Sequence, residues 1–597
     1  MRRLPTAGPA RAEPYVRPVR SRPGERVERP WHRHWPSGVP KTLDYPQIPV
    51  ERMLRRTADA HGEAVATVFY GARLTYRELD DAADRFAASL RRMGVRPGDR
   101  VGLIVPNSPA YIIAFFGIQR AGGIVVQTNP LYTPRELAAL YADAGATAAV
   151  CLDLFLSNLL KAKPETPLRE VVVVDLKDFL PAPLSTLYPI RRRSDLKKAG
   201  HWPLEVPDEP WMHTFREMLK TPGERGAEPQ TVDPDGVAVL QYTGGTTGTP
   251  KGAMLTHRTL IANAYQCASW VPGTEMARER TLIAIPLFHI YGLMAGLLVS
   301  VRLASTMLLL PDPRDLKHLL KVIDRERPTL FPAVPTLYVA LMNHPRLRKA
   351  DMRGIQACLS GAAPLPLEVR RRWESLTGGR LVEGYGLTEA STVVSANPLT
   401  QDGLVKEGVG IPFPDTDVRI VDLETGTRDL PVGEAGELLV RGPQVMKGYW
   451  NQPEETAATL RDGWLHTGDI ARMDEDGYLY IVERKKDLII ASGFNVYPRE
   501  VEEVLYSHPA VLEAAAIGVP DPYRGETVKA FVVLKPGTTA TDQEIIAFCR
   551  ERLAAFRVPR QVEFRTDLPK SQIGKVLRRT LRDEERAKLR AVAPSSR

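Results

Sequence analysis

The sequence contains little cysteine. Its 597 residues include only four, which are Cys151, Cys267, Cys358 and Cys549. No two of them form a Cys-X-X-Cys pair. A small secreted protein held together by disulfides has a much higher cysteine density, so that class of protein is excluded. We expect four reduced thiols.

Long apolar segments are also missing. The nearest approach is residues 291–301, which end at Arg302, whereas a helix that spans a bilayer needs about 20 apolar residues. The N-terminus is basic but has no apolar stretch behind it, so it does not match a secretory signal. The sequence therefore predicts neither a transmembrane helix nor a secretory signal.

An excess of charge of one sign is missing from most of the chain. The net charge is +9, but residues 1–40 contain nine Arg and three Glu and so carry +6 of it. We therefore expect no nucleic-acid partner for the body of the protein. Residues 1–30, rich in Arg and Pro, are predicted to be a disordered basic extension or the result of a mis-set start codon. A basic arm for an acidic membrane surface is the alternative.

What the sequence does contain is typical of a globular protein. Hydrophobic residues make up 43% and charged residues 25% of the chain, which excludes a wholly disordered or collagen-like protein. The length is enough for about two to four domains. Residues 176–235 are irregular and Pro-rich and include a cluster of five basic residues. These residues are Arg191, Arg192, Arg193, Lys197 and Lys198. We interpret them as a surface excursion, with a membrane-facing patch as the alternative.

Helices and strands alternate in the first part of the chain. Thr75-Tyr-Arg-Glu78 is a capping box that opens an amphipathic helix, and Gly94 closes it. Strands are predicted at residues 100–105 and 124–127, with a helix starting at Ser108-Pro109 between them. This alternation predicts an α/β fold, in which mostly parallel sheets are covered by helices.

After Asp469 the pattern changes to short elements, which favours a second, smaller α+β domain. The predicted strands are residues 481–482, 488–490, 514–517, 528–534 and 562–564, and the predicted helix is 542–553.

One motif indicates phosphate binding. The segment Tyr242-Thr-Gly-Gly-Thr-Thr-Gly-Thr-Pro-Lys251-Gly252 follows a predicted strand at 237–240. Glycines expose backbone N–H groups, hydroxyls add donors, and a lysine adds positive charge, so the loop suits phosphates. It is not a Walker A loop, because Lys251 follows Pro250 and no Ser or Thr follows the lysine. A P-loop NTPase is therefore disfavoured.

This loop and six further motifs resemble the adenylate-forming enzymes: acyl-CoA synthetases, luciferases and the adenylation domains of peptide synthetases. The further motifs are Phe288-His-Ile-Tyr-Gly, Ser360-Gly-Ala-Ala-Pro, Gly384-Tyr-Gly-Leu-Thr-Glu, Gly463-Trp-Leu-His-Thr-Gly-Asp, Glu483-Arg-Lys-Lys-Asp and Pro569-Lys-Ser-Gln-Ile-Gly-Lys. Within that superfamily the chain is most similar to bacterial long-chain fatty-acid–CoA ligases. The segments that carry this likeness start at His34, Val445, Ser492 and Leu568.

The resemblance implies a reaction and a domain organisation. A fatty acid and ATP give acyl-AMP and pyrophosphate, and CoA then takes the acyl group and releases AMP. It implies an AMP-binding domain at residues 31–484 and a mobile C-terminal domain at 485–597 that carries a catalytic lysine. The implied cofactor is Mg²⁺, with ATP and CoA as co-substrates. A cytoplasmic enzyme is expected, with peripheral contact at the inner face of the cell membrane and a homodimer left open.

The resemblance also implies roles for the ATP-binding residues. The loop is expected to hold the β- and γ-phosphates, through Thr243, Gly244, Gly245, Thr246, Thr247, Gly248 and Lys251. Thr246 and Glu389 match the Mg²⁺ contacts, and Thr388 is expected to donate to the α-phosphate. Asp469 and Arg484 match the ribose contacts. The adenine is expected between Gly361, Ala362, Gly384 and Tyr385.

The remaining roles concern catalysis and the acyl and CoA groups. Lys575 is expected to catalyse adenylation, and Lys486 matches the hinge about which the small domain turns. Phe288, His289 and Gly386 are expected to line the acyl pocket, with His289 near the carboxylate. Four apolar residues that follow could wall a tunnel or be ordinary helix core. They are Leu293, Met294, Leu297 and Leu298. CoA is expected near Ser492, Gly493 and Phe494.

Other functions share these motifs. An acyl-AMP ligase that loads a carrier protein and a medium-chain or aryl acid–CoA ligase are the alternatives to the main interpretation. A luciferase-type oxygenase also shares every motif. A non-catalytic sensor would be expected to lack Lys575 or Glu389, and the sequence has both.

Overall fold

The computed structural model of the protein describes residues 29–188, 193, 207–223, 233–243, 250–271, 273–400, 402–491, 494–521, 524–570 and 576–592. The predictions for residues 1–28 and for most of the basic cluster near residue 191 lie outside these ranges. The α-helices are Glu51–His61, Tyr76–Arg92, Pro109–Arg120, Pro134–Ala144, Leu156–Ala162, Phe215–Met218, His257–Ser269, Val299–Arg302, Leu316–Glu326, Pro335–Met342, Leu367–Thr377, Pro453–Thr459, Pro498–Tyr506, Asp542–Arg550 and Arg578–Val592.

The strands are β1 Val65–Phe69, β2 Ala72–Thr75, β3 Arg100–Ile104, β4 Ile124–Gln127, β5 Ala146–Leu152, β6 Glu170–Val174, β7 Met212–Thr214, β8 Val237–Thr243, β9 Lys251–Thr256, β10 Arg280–Ile283, β11 Thr306–Leu309, β12 Ala357–Ser360, β13 Arg380–Leu387, β14 Thr392–Ala396, β15 Ile411–Pro412, β16 Asp417–Val421, β17 Gly436–Arg441, β18 Leu460–Arg461, β19 Trp464–Met473, β20 Leu479–Arg484, β21 Ile489–Ala491, β22 Phe494–Val496, β23 Val511–Asp521, β24 Gly525–Leu534 and β25 Gln561–Phe564.

The first sheet has seven strands in the order β7-β6-β5-β3-β4-β8-β9, and only β9 runs antiparallel to its neighbour. All four residues of β4 are buried, as expected for a parallel strand covered on both faces. The helix Tyr76–Arg92 begins at the predicted capping box, in which Thr75 and Glu78 bond reciprocally. The predicted α/β fold is confirmed.

A second region combines two four-stranded sheets, β10-β11-β1-β2 and β12-β13-β14-β15. Parallel bridges through Leu330 join β10 to β12. The π-helix Gly292–Leu298 packs beside this region. Leu293, Met294, Leu297 and Leu298 all have fully buried side chains. They are therefore core residues of this region.

A third, antiparallel sheet has the order β16-β17-β19-β18, with β20 paired to β19. Residues 481–482, predicted among the short elements after Asp469, belong to β20 and hence to this sheet. The reason is local: the turn at 474–478 folds β20 back on β19, and Asp474 accepts from the backbone N–H of Tyr478.

A further five-stranded sheet lies C-terminal to residue 488 and has the order β22-β21-β24-β23, with β25 parallel to β24. The helices Pro498–Tyr506 and Asp542–Arg550 pack on it, and its buried core is separate from that of the large region. The prediction of a smaller α+β unit after the large N-terminal region is confirmed.

The N-terminal segment is packed from Trp31 onward. The Trp31 side chain is 1% exposed, and a Cβ at Gly477 would overlap the Trp31 backbone nitrogen. Arg29 pairs with Asp417 at 2.8 Å. The segment therefore covers the third sheet at the turn between β19 and β20.

All four cysteines are free thiols with buried side chains. Burial raises the pKa of Cys358 to about 12 and that of Cys549 to about 11. Among the described residues, no helix combines the length and hydrophobicity needed to traverse a membrane.

Candidate active site

The predicted phosphate loop connects two antiparallel strands. Thr243, the last residue of β8, pairs with Lys251, the first residue of β9. The strand predicted at 237–240 is thus confirmed and extends to Thr243. The candidate phosphate residues Gly244, Gly245, Thr246, Thr247 and Gly248 lie outside the described residues. The two ends of the loop are fixed by the β8–β9 ladder.

Lys251 lies close to two residues that the motifs did not identify. Its Nζ is 2.5 Å from Oε2 of Glu455 and 5.5 Å from the ring centroid of Tyr449. The Tyr449 hydroxyl donates to Oε1 of Glu389 at 2.8 Å. Tyr449 therefore brings the candidate phosphate lysine and the candidate metal carboxylate to one place.

The backbone explains why Tyr449 reaches this position. Residues 447–450 run along β9: the Trp450 N–H donates to the Gly252 carbonyl at 2.7 Å, and the Met254 N–H donates to the Gly448 carbonyl at 2.8 Å. The Met446 N–H also donates to the carbonyl of Glu389. The sequence signal for Tyr449 lies in the segment that starts at Val445, where the likeness to long-chain ligases was found.

The candidate ribose residues form a group that we call the Asp469 cluster: Asp469, Arg484 and Tyr385. Asp469 and Arg484 are opposite each other on β19 and β20, and the Arg484 Nε lies 3.0 Å from Asp469 Oδ1. The Tyr385 hydroxyl, from β13, donates to Asp469 Oδ2 at 2.6 Å. The Asp469 carboxylate raises the pKa of Arg484. Burial, reinforced by Asp469, raises that of Tyr385 well above its usual range.

Tyr385 thus does more than the sequence suggested. We expected an aromatic face for the adenine, and the structure adds a hydrogen bond from its hydroxyl to the candidate ribose carboxylate. The predicted partner loop starts directly after β12, whose last residue, Ser360, pairs with Glu383 on the strand that carries Tyr385. A Cβ added to Gly361 would meet the Tyr291 ring at 3.1 Å, and Ala362 has a left-handed φ of 69°.

The segment 288–291 connects the other motifs. The Gln241 Nε2, at the end of β8, donates to the Phe288 carbonyl at 3.3 Å. Thr392 Oγ1 donates to the Ile290 carbonyl at 3.1 Å, and the Tyr291 hydroxyl donates to the Leu359 carbonyl at 2.7 Å. The candidate acyl segment is therefore hydrogen-bonded to the regions that carry the phosphate loop and the adenine motifs.

The His289 side chain is partly buried in this segment. Burial lowers its pKa to about 4, so the imidazole is neutral at pH 7 and has one ring N–H to donate. Its ring centroid lies 5.4 Å from that of Phe288. A neutral donor in an apolar surrounding suits a substrate carboxylate.

Gly386 has a backbone reason to be glycine. A Cβ at this position would overlap the carbonyl oxygen of Thr392, at a register shift between β13 and β14. Thr392 itself has a φ of 128° and Ser391 a φ of 52°. The sequence suggested that Gly386 leaves room for a long chain. The structure shows that close strand packing also requires a glycine here.

Thr388 and Glu389 lie in the 3₁₀ turn Thr388–Ala390 that leads into these strained residues. Left-handed and unusual backbone angles in non-glycine residues are retained where the surrounding structure enforces them, and they concentrate at functional sites. Gly384, two residues before Gly386, packs against the Leu359 side chain, where a Cβ would come within 2.8 Å of Cδ1.

Lys486 lies in the 3₁₀ turn Lys485–Asp487 that links β20 to the small domain. Burial, with Arg484 nearby, lowers the pKa of Lys486. Around this turn is an ion-pair network that we call the Arg578 cluster. Its members are Glu483, Asp487, Glu502, Arg578 and Arg582.

In the Arg578 cluster one guanidinium bridges two parts of the molecule. Arg578 Nη1 lies 2.7 Å from Glu483 on β20, and Nη2 lies 2.6 Å from Glu502 on the small-domain helix Pro498–Tyr506. Arg582 pairs with Asp487 at 2.6 Å.

Lys575 lies outside the described residues. Lys570 and Val576, on either side of residues 571–575, form an antiparallel bridge.

Glu437 on β17 is a further residue that the motifs did not reveal. Its carboxylate accepts from the Gly468 N–H at 3.2 Å and from Lys485 Nζ at 3.1 Å. Burial opposes its ionisation, but its interactions with His466 and Lys485 outweigh that effect and lower its pKa to about 2. It connects the turn before Asp469 to the turn that contains Lys486.

The candidate CoA residues are only partly described. Ser492 and Gly493 lie outside the described residues, and Phe494 begins β22, which pairs with β21.

Sequence comparisons identify the relatives of this chain. A family model described as "AMP-binding enzyme" matches residues 54–450, and one described as "AMP-binding enzyme C-terminal domain" matches residues 500–575. A long-chain-fatty-acid–CoA ligase of Bacillus subtilis (strain 168) is 46% identical over 566 residues, covering 94% of this chain and 98% of that protein. The ligase of the same name from Yersinia pestis is 42% identical over 568 residues, with 94% and 98% covered.

A solved structure extends the likeness to three dimensions. The anthranilate CoA ligase AuaEII, crystallised with anthranoyl-AMP, superimposes with a TM-score of 0.80 at 28% identity, covering 92% of this chain and 99% of that one.

Proposed function

The chain belongs to the family of AMP-binding enzymes, and we propose that it is a long-chain fatty-acid–CoA ligase. ATP and CoA are its co-substrates. The enzyme joins a fatty acid to AMP with release of pyrophosphate, and then transfers the acyl group to the thiol of CoA with release of AMP. The observation that carries this conclusion is the 46% identity to a ligase of that name over 94% of this chain.

The first half-reaction concentrates negative charge at the α-phosphorus, so the protein must supply cations and oriented donors there. We propose that the hairpin loop and Lys251 hold the β- and γ-phosphates and that Thr388 donates to the α-phosphate. The position of Lys251 supports this, since it begins β9 directly after the glycine-rich segment.

The Asp469 cluster supports a ribose site. A carboxylate can accept from both ribose hydroxyls, and Asp469 is held on two sides by Arg484 and Tyr385. We propose that these residues fix the nucleoside, with Gly361, Ala362 and Gly384 beside the adenine.

The donor set fits Mg²⁺ at Glu389. Its Oε1 accepts from Tyr449, and none of the contacts among the described residues involves Oε2. Among those residues no group of three or more His, Cys, Asp or Glu side chains is placed to hold a metal. Mg²⁺ needs no such group, since it commonly binds one or two carboxylates together with water and phosphate oxygens. We propose that Glu389 and Thr246 hold it, where it would neutralise phosphate charge.

The domain division follows the same proposal. Residues 31–484 form the AMP-binding domain, and residues 485–597 form a domain that turns about Lys486 between the two half-reactions. We propose that Lys575 enters the site for adenylation and that Ser492, Gly493 and Phe494 face CoA for thioester formation. Membrane contact and a homodimer remain predictions of the sequence resemblance.

The test is an endpoint assay with ATP, Mg²⁺, CoA and a mixture of fatty acids from acetate to oleate, analysed by mass spectrometry. Long-chain acyl-CoA products are expected. Acyl-AMP that accumulates without acyl-CoA would indicate a ligase for a carrier protein instead. Products confined to short acids would contradict the proposed preference for long-chain fatty acids.

A further inference from the structure

The Lys251–Glu455 pair places a second anion at the phosphate end of the site. Glu455 lies in the first turn of the helix Pro453–Thr459, and its Oε2 is 2.5 Å from Lys251 Nζ. The Lys251 side chain is 15% exposed and that of Glu455 is 44% exposed. The lysine is therefore largely enclosed, while its partner is open to solvent.

The surroundings of this pair are acidic. Tyr449 lies under the Lys251 ammonium and donates to Glu389. Burial raises the pKa of Tyr449, and the charges of Glu389 and Glu455 add to the effect. The carboxylates of Glu389 and Glu455 thus both act on Tyr449. The Lys251 ammonium lies against that tyrosine ring.

In this position two anions, the Glu455 carboxylate and the phosphates of ATP, compete for the Lys251 ammonium. If β- or γ-phosphate oxygens take Lys251, the Glu455 carboxylate must either leave or stay within a few ångströms of the phosphates. Leaving breaks a charge-assisted hydrogen bond, and staying adds repulsion between like charges. Both alternatives weaken phosphate binding relative to a site without Glu455.

We propose that Glu455 is a positioning residue that competes with the phosphates of ATP for Lys251. This inference rests on the proposed role of Lys251. Glu455 holds the ammonium at the start of β9, releases it to the triphosphate, and pairs with it again as pyrophosphate departs. It therefore lowers the affinity for ATP and favours the release of pyrophosphate.

The adjacent residue offers a matched control. Glu454 lies in the same helical turn, carries the same charge and is exposed. Glu455→Gln and Glu454→Gln each remove one negative charge from that turn, so a general charge effect on nucleotide binding appears in both variants. Only Glu455→Gln removes the partner of Lys251.

The experiment measures equilibrium binding of the non-hydrolysable analogue adenosine β,γ-imidotriphosphate with Mg²⁺, and of AMP, to the full-length chain by titration calorimetry. Glu455→Gln is expected to tighten the analogue about two- to fivefold, the usual worth of a partly exposed ion pair. AMP affinity is expected to stay unchanged because AMP lacks the β- and γ-phosphates. Inhibition by pyrophosphate is expected to strengthen by the same factor.

Three results would overturn the proposal. The first is analogue binding that is unchanged or weaker in Glu455→Gln, which would make Glu455 a support for Lys251 and not a competitor. The second is an equal gain for AMP, and the third is an equal gain in Glu454→Gln. The wild-type ligase assay distinguishes failure of this proposal from failure of the proposed function. If the proposed function is wrong, the wild-type chain forms no acyl-CoA. If only the role of Glu455 is wrong, the wild-type chain still forms it.

Discussion

The Asp469 cluster and the Arg578 cluster meet on β20, where Arg484 and Glu483 are adjacent residues. They differ in construction. Asp469 and Arg484 are opposite residues of the β19–β20 ladder, so the backbone itself fixes their separation. In the Arg578 cluster, Glu483 and Glu502 come from different domains and are joined through the long side chain of Arg578.

This difference fits two tasks. A strand ladder holds a binding carboxylate in place throughout a reaction, since it cannot shift without the loss of several backbone hydrogen bonds. Ion pairs between side chains can separate at lower net cost, because each charge regains hydration when it leaves its partner. We therefore propose that the large domain keeps the nucleotide in a fixed position and that the ion pairs of the junction separate when the small domain turns.

Replacement of Lys575, the proposed catalytic lysine, gives the largest expected effect. Lys575→Ala is expected to lower the rate of adenylation at least about 100-fold, since a cation that stabilises transition-state charge is lost. Thioester formation from supplied acyl-AMP is expected to persist. The measurement is ATP–pyrophosphate exchange beside acyl transfer to CoA. An equal loss of both half-reactions in a folded variant would contradict the assigned role.

Loss of Asp469, the proposed ribose carboxylate, tests the other side of the comparison. Asp469→Asn is expected to raise the KM for ATP about 10- to 100-fold, because hydrogen bonds to a charged group contribute about 1.5–3 kcal/mol. Both half-reactions need the nucleoside, so both are expected to weaken. Steady-state kinetics at varied ATP, and then at varied acyl-AMP, would check this. A defect in only one half-reaction would show that Asp469 does not serve both orientations of the small domain.

Removal of the bridging guanidinium tests the junction. Arg578→Gln is expected to change the ratio of the two half-reaction rates about five- to tenfold, with the KM for ATP changed less than twofold. The reason is that one domain orientation loses its cross-domain ion pair, worth about 1 kcal/mol.

Arg565→Gln is the matched control for this junction. Arg565 pairs with Glu563 and Glu584 inside the small domain, so its loss is expected to leave the half-reaction ratio unchanged. Equal behaviour of Arg578→Gln and Arg565→Gln would show that the junction pair does not select a domain orientation.

The smallest expected effect is a pH dependence of the free energy of unfolding. It concerns Glu383 of the large domain, which lies near Arg499 and Glu503 of the small domain. Burial raises the pKa of Glu383 on β13 to about 7, while Arg499 opposes the shift and Glu503 adds to it. A carboxyl with a raised folded-state pKa contributes stability that is present at low pH and is lost as pH rises through 7. Relative to Glu383→Gln, the wild-type chain is therefore expected to lose about 1 kcal/mol between pH 6 and pH 8.

Urea unfolding at the two pH values provides the measurement. Other titrating groups are common to both chains, so the difference between chains isolates Glu383. A parallel pH dependence in wild type and Glu383→Gln would show that the carboxyl does not titrate near neutrality.

The sequence predicted the local features well. The capping box at Thr75 and Glu78 and the strand before Lys251 depend on residues that lie within a few positions of one another. Several contacts in the site depend instead on residues far apart in sequence. Tyr449 is 60 residues from Glu389, and Glu455 is 204 from Lys251. Neither contact follows from local periodicity.

Glycine and apolar motifs were the least informative. Gly386 fits both an open acyl pocket and the close approach of Thr392, and sequence alone cannot separate those reasons. Glu437 was missed for a related reason: a single glutamate in a strand is usually solvated, whereas this one is buried between Gly468 and Lys485.

The buried cysteines make the proposed rotation of the small domain accessible to spectroscopy. Thiols react with maleimide dyes as thiolates, and these four are both enclosed and shifted to high pKa. Cysteines introduced at exposed positions such as Val432 in the large domain and Leu512 in the small one would therefore take up dyes selectively in the native chain. Energy transfer between the two dyes would then follow the turning of the small domain during catalysis, without prior removal of any native thiol.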